Sequence, residues 1–147
     1  MEKVGLHKQI IDSIYESYIP MLEEDATTVW EVFPTSPAGQ VHMGGFPTRS
    51  HCHAWSSVPV YFLNRIVLGI RQTAAGGKSF DISPLLMNDL SWAKGVVASV
   101  NGPISVFWQT KGKTLYVDYS GPEKTKLNFV RNESHKGLKV ILNRKKL

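Results

Sequence analysis

A chain of 147 residues is long enough for one ordinary domain, or for a small domain joined to part of another. Its 42% hydrophobic and 20% charged content is that of a globular protein and excludes wholesale disorder, and a single cysteine, Cys52, excludes an internal disulfide. The net charge of +5 arises in residues 121–147, where eight Lys/Arg stand against two Asp/Glu; with no interleaved aromatic beyond Phe129 this basic tail reads as a solvated face and not as a nucleic-acid site.

Met1-Glu2-Lys3-Val4-Gly5-Leu6-His7-Lys8 carries charges where a signal peptide needs an apolar centre, so a cytoplasmic location is expected if Met1 is the genuine start. No apolar run approaches about 18 residues, so no helical membrane span is expected. Leu6, Ile10, Ile14 and Tyr18 recur every four residues, with Ile11 and Tyr15 beside them, which predicts a helix that Pro20 ends or kinks. Pro34 to Pro47, with Gly44-Gly45 at its centre, is loop chemistry. A second helix is expected from Ser56 or Ser57, with Pro59 in its first turn, through Tyr61, Phe62, Arg65, Ile66 and Leu68 to Gly69.

After Gln72 the texture changes. Thr73 to Lys78 reads as a flexible connector, and the period then shortens towards two. Ile104, Val106 and Trp108 alternate with Ser105, Phe107 and Gln109; Lys111-Gly112 supplies a turn; Leu115, Val117 and Tyr119 complete a hairpin. Segments around Ile82–Leu86, Ala93–Val100, Leu127–Phe129 and Leu138–Leu142 bring the expectation to about six strands. The fold class expected is α+β in two parts: helices over 1–72, then an antiparallel β-sandwich over 73–147.

Two segments carry the chemistry. Ala26-Thr27-Thr28-Val29-Trp30-Glu31 sets a carboxylate beside an indole, and Ser50-His51-Cys52-His53-Ala54-Trp55 adds imidazoles and a second indole. Sugars suit that mixture, because carboxylates and imidazoles hydrogen-bond hydroxyls while indole faces pack on the apolar side of a pyranose. Hydrolysis of a glycosidic bond needs a second carboxyl group, and this stretch frames only one. His51 and His53 alternate along an extended segment and raise a zinc reading; with no second cysteine, and His42 needed from the loop, no metal site is expected.

Met21 to Glu31, with its T-T-x-W-E ending, resembles a segment near the end of bacterial α-L-rhamnosidases, glycoside hydrolase family 78. Ser50 to Trp55, continuing through Pro59, Tyr61, Leu63 and Gly69, is similar to the last barrel helix of those enzymes. Ile82-Ser83-Pro84, Ala93 to Val97 and Gly102 to Trp108 are similar to their C-terminal β domain. The resemblance spans roughly residues 5 to 145. It implies the closing helices of an (α/α)6 barrel followed by a β-sandwich. About twelve helices of about 11 residues, with connections, need roughly 200 residues, so most of such a barrel is not in this sequence.

The resemblance further implies hydrolysis of terminal α-L-rhamnosides with inversion in an intact enzyme. Glu31 would be the general base, shielded and positioned by Trp30; His53 would be a substrate contact; Trp55 would be a stacking platform or the residue that seats the last helix. No organic cofactor and no metal is implied, and the partner is a rhamnose-containing carbohydrate. The family's general acid lies upstream of its T-T-x-W-E segment, and nothing before Glu31 reproduces it, so these residues alone are expected to be inactive. Two other readings stay open. One is a carbohydrate-binding module using Trp92, Trp108, Tyr116 and Tyr119. The other is an inactive chain that self-associates through an exposed face along Ile10, Ile14 and Tyr18.

Overall fold

The computed structural model describes residues 5–33, 50–87 and 89–146, and the loop expected at Pro34 to Pro47 lies outside them. Two compact units divide the chain, Met1–Phe62 and Leu63–Leu147. In the first, helix α1 spans His7–Glu23 and buries Ile10, Ile11 and Met21. Pro20 does not end it: three more helical residues follow. The helix stops instead at a left-handed residue, Asp25, with φ 55°. The N–H of Asp25 reaches Leu22 O at 3.1 Å and that of Ala26 reaches Met21 O at 3.0 Å, the paired closure of a Schellman cap.

The expected exposed face along α1 needs correcting. Ile10 is buried and Ile14 and Tyr18 are half-buried, with the Tyr18 hydroxyl donating to Ser56 O at 2.7 Å. Among the described residues, the exposed large apolar side chains of this unit are Leu6, Tyr15, Ile19, Leu22, Trp55, Val58, Val60 and Tyr61. The second helical stretch opens with a 3-10 turn, Ala54–Ser57, continues as α2, Val58–Phe62, and passes into a π turn, Leu63–Val67.

Among the described residues the second unit holds seven strands: β1 Ile70–Ala74, β2 Ser79–Ile82, β3 Trp92–Ser99, β4 Gly102–Lys111, β5 Thr114–Gly121, β6 Lys126–Phe129 and β7 Lys139–Lys146. They form a three-stranded sheet, β1-β2-β6, and a four-stranded sheet, β3-β4-β5-β7. The sandwich is not wholly antiparallel as expected. β6 joins β2 in parallel and β7 joins β5 in parallel, so each sheet is mixed. Periodicity fixes which face a strand buries but not its direction relative to a distant partner.

Alternation in the β4–β5 hairpin matches its expectation. Ile104, Val106, Trp108, Leu115 and Val117 are wholly buried. The sheets meet at side chains from both: a Cβ on Gly121 of β5 would lie 3.0 Å from Leu127 Cδ1 on β6 and 3.5 Å from Ile104 Cγ1 on β4. The strand expected around Ile82–Leu86 is only β2; residues 83–87 are irregular. The connector expected at Thr73 to Lys78 is instead the bend of the β1–β2 hairpin. Gly76 and Gly77 both have φ 66°, and Gly77 O accepts from Asn101 Nδ2 and Thr125 Oγ1, each at 3.1 Å.

Two features anchor the start of this unit. Leu68 N donates to Leu63 O at 3.0 Å, closing the π turn, and the Trp108 indole donates to Val67 O at 2.8 Å. Gly69 follows with φ 72°, where an added Cβ would lie 2.1 Å from Ser83 C and 2.2 Å from Pro84 N. Segment 83–86 is held from its other side by Asn132, Ser134 and His135. Asn132 Nδ2 donates to Ser83 Oγ at 3.0 Å and Pro84 O at 2.9 Å; Leu86 N donates to Ser134 Oγ at 3.0 Å; His135 Nε2 lies 2.7 Å from Pro84 O.

Candidate functional site

Beyond the Schellman cap the chain continues through Val29–Glu31. Ser50–His53 lies alongside: Glu31 N donates to Ser50 O and His53 N to Val29 O, each at 2.9 Å. The Thr28 hydroxyl donates to His51 O. This short backbone ladder brings together the two segments that the sequence singled out.

The side chains stack in pairs. Trp30, 4% exposed, lies against the His51 ring with centroids 4.8 Å apart and planes 16° from parallel. His53 stacks on Trp55 at 3.9 Å and 26°. The Trp55 indole N–H donates to Glu31 O at 2.9 Å, while most of its ring, 64% exposed, faces solvent. Glu31 is half-buried. His53 Nδ1 is buried with no hydrogen-bond partner among the described residues.

Glu31, Trp30, His53 and Trp55 are therefore neighbours, joined by two backbone hydrogen bonds, two ring stacks and one indole contact. His51 was given no role by sequence reasoning, yet it covers Trp30. The two imidazoles engage different indoles, and among the described residues no group of three or more His, Cys, Asp or Glu side chains is placed to hold a metal ion. Chemically the arrangement offers one carboxylate, one flat exposed indole and hydrogen-bonding imidazoles.

The aromatic set proposed for the β part is split by the fold. Trp108 and Tyr119 are buried, so they cannot form a platform with Trp92, which is 58% exposed, and Tyr116. Sequence reasoning also missed Asn132 and His135, the residues that clamp segment 83–86. Isolated polar residues carry no periodic signal.

Comparison with known proteins places these observations. A family 78 rhamnosidase of Bacillus sp. GL1, solved as a crystal structure, superposes with a TM-score of 0.83 at 36% identity, over 99% of this chain and 15% of that one. The class defined is thus the C-terminal part of a glycoside hydrolase family 78 protein. Residues 69–145 match the bacterial alpha-L-rhamnosidase C-terminal domain, and the chain belongs to that family.

Curated relatives agree. An alpha-L-rhamnosidase of Formosa agariphila is 25% identical over 137 residues, 92% of this chain and 15% of that protein. One of Alteromonas sp. (strain LOR) is 25% identical over 126 residues, 85% and 14% respectively. The chain thus spans about one-seventh of the length of these relatives.

Proposed function

We propose that this chain supplies the base-bearing C-terminal part of an α-L-rhamnosidase, in which terminal α-L-rhamnosides are hydrolysed with inversion. The observation that carries this reading is the ladder between Val29–Glu31 and Ser50–His53, which sets Glu31 beside His53 and Trp55. The Glu31 carboxylate takes a proton from water attacking the anomeric carbon. A second carboxyl group, roughly 6.5–9.5 Å away in inverting enzymes, protonates the departing oxygen. His53 hydrogen-bonds a rhamnose hydroxyl, and the open Trp55 face packs on the sugar ring. Trp30 holds the carboxylate-bearing segment in place from the buried side.

The helical residues of the first unit are, on this reading, closing helices of an (α/α)6 barrel, and the acid belongs to sequence outside these 147 residues. The chain by itself is inactive because an alkoxide leaving group goes unprotonated. The test is rhamnose release from an alkyl α-L-rhamnoside, whose leaving group needs the acid, by the purified chain, with Glu31→Gln as control. Equal rates are expected; turnover that depends on Glu31 would overturn the missing-acid reading. Rhamnose titration followed by indole N–H shifts tests the site itself: movement of the Trp55 signal, lost in His53→Ala, is expected.

A second reading rests on the exposed Tyr15, Leu22, Val60 and Tyr61. Side chains of this kind seek apolar cover, so the isolated chain associates with itself. Size-exclusion chromatography across a concentration series tests it, and a monomer throughout would refute it.

A further inference from the structure

The four-stranded sheet has a second face, opposite the one that buries Trp108. Register places Trp92, Gln109 and Tyr116 in one row across β3, β4 and β5, and Lys94, Phe107 and Asp118 in the next. Directly paired residues share a face, so all six point away from the core. Trp92 and Lys94 are exposed and the other four half-buried. Among the described residues, no hydrogen bond or ion pair engages the side chains of Lys94, Gln109, Tyr116 or Asp118.

We propose that this face binds a neutral glycan, as a segment of two or three pyranose units lying across the strands. Trp92 and Tyr116 stand two strand spacings apart, roughly 9.5 Å, comparable to the length of a disaccharide. Phe107 lies diagonally from both, at about 7–8 Å. Each ring is flanked by a side chain with hydrogen-bonding capacity to spare: Gln109 between the indole and the phenol, Lys94 and Asp118 on either side of Phe107. That checkerboard meets the two needs of a sugar, an apolar C–H face to cover and hydroxyls to satisfy. A protein partner would favour a contiguous apolar centre with a polar rim, which this alternation interrupts. Across these two rows, which β7 continues with the uncharged Ile141 and Asn143, one cation balances one anion, which fits a neutral chain; Lys111 and Lys139 lie in the next row. These residues all belong to the second unit, and the inference does not depend on the role of Glu31 or His53.

The test is affinity electrophoresis of the intact chain in native gels cast with β-glucan, xylan, galactomannan or a neutral rhamnan. Slower migration in at least one of these gels is expected, with loss of the retardation in Trp92→Ala and in Tyr116→Ala. Gln109→Ala, which removes no ring, is expected to lose retardation too, and it serves if either aromatic variant misfolds by circular dichroism. Glu31→Gln and His53→Ala, each compared with its own mobility in a glycan-free gel, are expected to keep the parent's retardation in the β-glucan, xylan and galactomannan gels. Unchanged mobility in all four glycans overturns the proposal. So does retardation that survives all three face variants, which would place binding elsewhere, at Glu31 and His53 if their variants abolish it. Concentration-dependent dimerisation abolished by Trp92→Ala would overturn it in favour of a contact between copies of the chain.

Discussion

The Trp108 indole N–H meets the carbonyl of Val67 at 2.8 Å inside the core of the second unit. Val67 is the last residue of the π turn, so a buried side chain satisfies a helix-end carbonyl that would otherwise lack a donor. Trp108→Phe removes that donor and leaves a void beside a 0%-exposed position. A loss of roughly 2–4 kcal/mol is expected from the unpaired carbonyl and the cavity together, read as a lower urea midpoint.

Gly69 makes a sharper case. Its positive φ alone disfavours alanine by about 1–2 kcal/mol, and a Cβ would also strike backbone atoms of Ser83 and Pro84. Gly112 has φ 56° with nothing within 4 Å of its added Cβ, so Gly112→Ala carries the conformational cost without the collision. Gly69→Ala is expected to destabilise by roughly 2–5 kcal/mol and Gly112→Ala by no more than about 2. Equal midpoints in denaturant would contradict the packing described at Ser83–Pro84.

His135 gives the second unit an acid sensitivity. Burial lowers its pKa from the ordinary 6.5, the Arg131 guanidinium adds to that, and the hydrogen bond to Pro84 O opposes it. The partners fix the neutral tautomer: Nε2–H donates to Pro84 O, and Nδ1 accepts from Asn132 N at 3.2 Å. With the folded-state pKa below the unfolded value, the unfolded chain takes up the proton first. The stabilisation is complete above about 6.5 and is lost as pH falls from there through the folded-state pKa. Urea midpoints from about pH 7.5 to about pH 5 should fall for the parent. In His135→Phe they should start lower and lack this contribution to the slope.

Trp55→Phe keeps a ring against His53 but deletes the donor to Glu31 O. At so exposed a position the loss should stay near the lower end of about 0.5–1.5 kcal/mol. The expected signature is local: faster hydrogen exchange at the Glu31 and His53 amides, whose bonds form the ladder, with the β-sheet amides unchanged.

Much of this architecture was legible in the residues. The β4–β5 hairpin announced itself because one face is wholly buried, and strict alternation is what such burial demands. Glu31, His53 and the two indoles were picked out together, and the backbone ladder brings them together. What escaped was non-local or single-residue. The parallel additions of β6 and β7 depend on partners far along the chain, which no local pattern encodes. Asp25 closes α1 from a left-handed conformation more often given to glycine, so Pro20 looked like the stronger stop. Asn132 and His135 sit in a turn and act on Ser83 and Pro84, some fifty residues earlier.

The parallel pairings also set an order of events. β3, β4 and β5 are joined by tight hairpins and can zip from neighbouring residues at small entropic cost. β6 must find β2 across some forty intervening residues, and β7 must return to β5 after β6 has joined the other sheet. Both sheets are therefore completed by residues 126–146, while a three-stranded meander waits with its β5 edge uncovered. During that interval the edge of β5 is open to strands from other molecules, so the hazard of misassembly is concentrated before β7 docks.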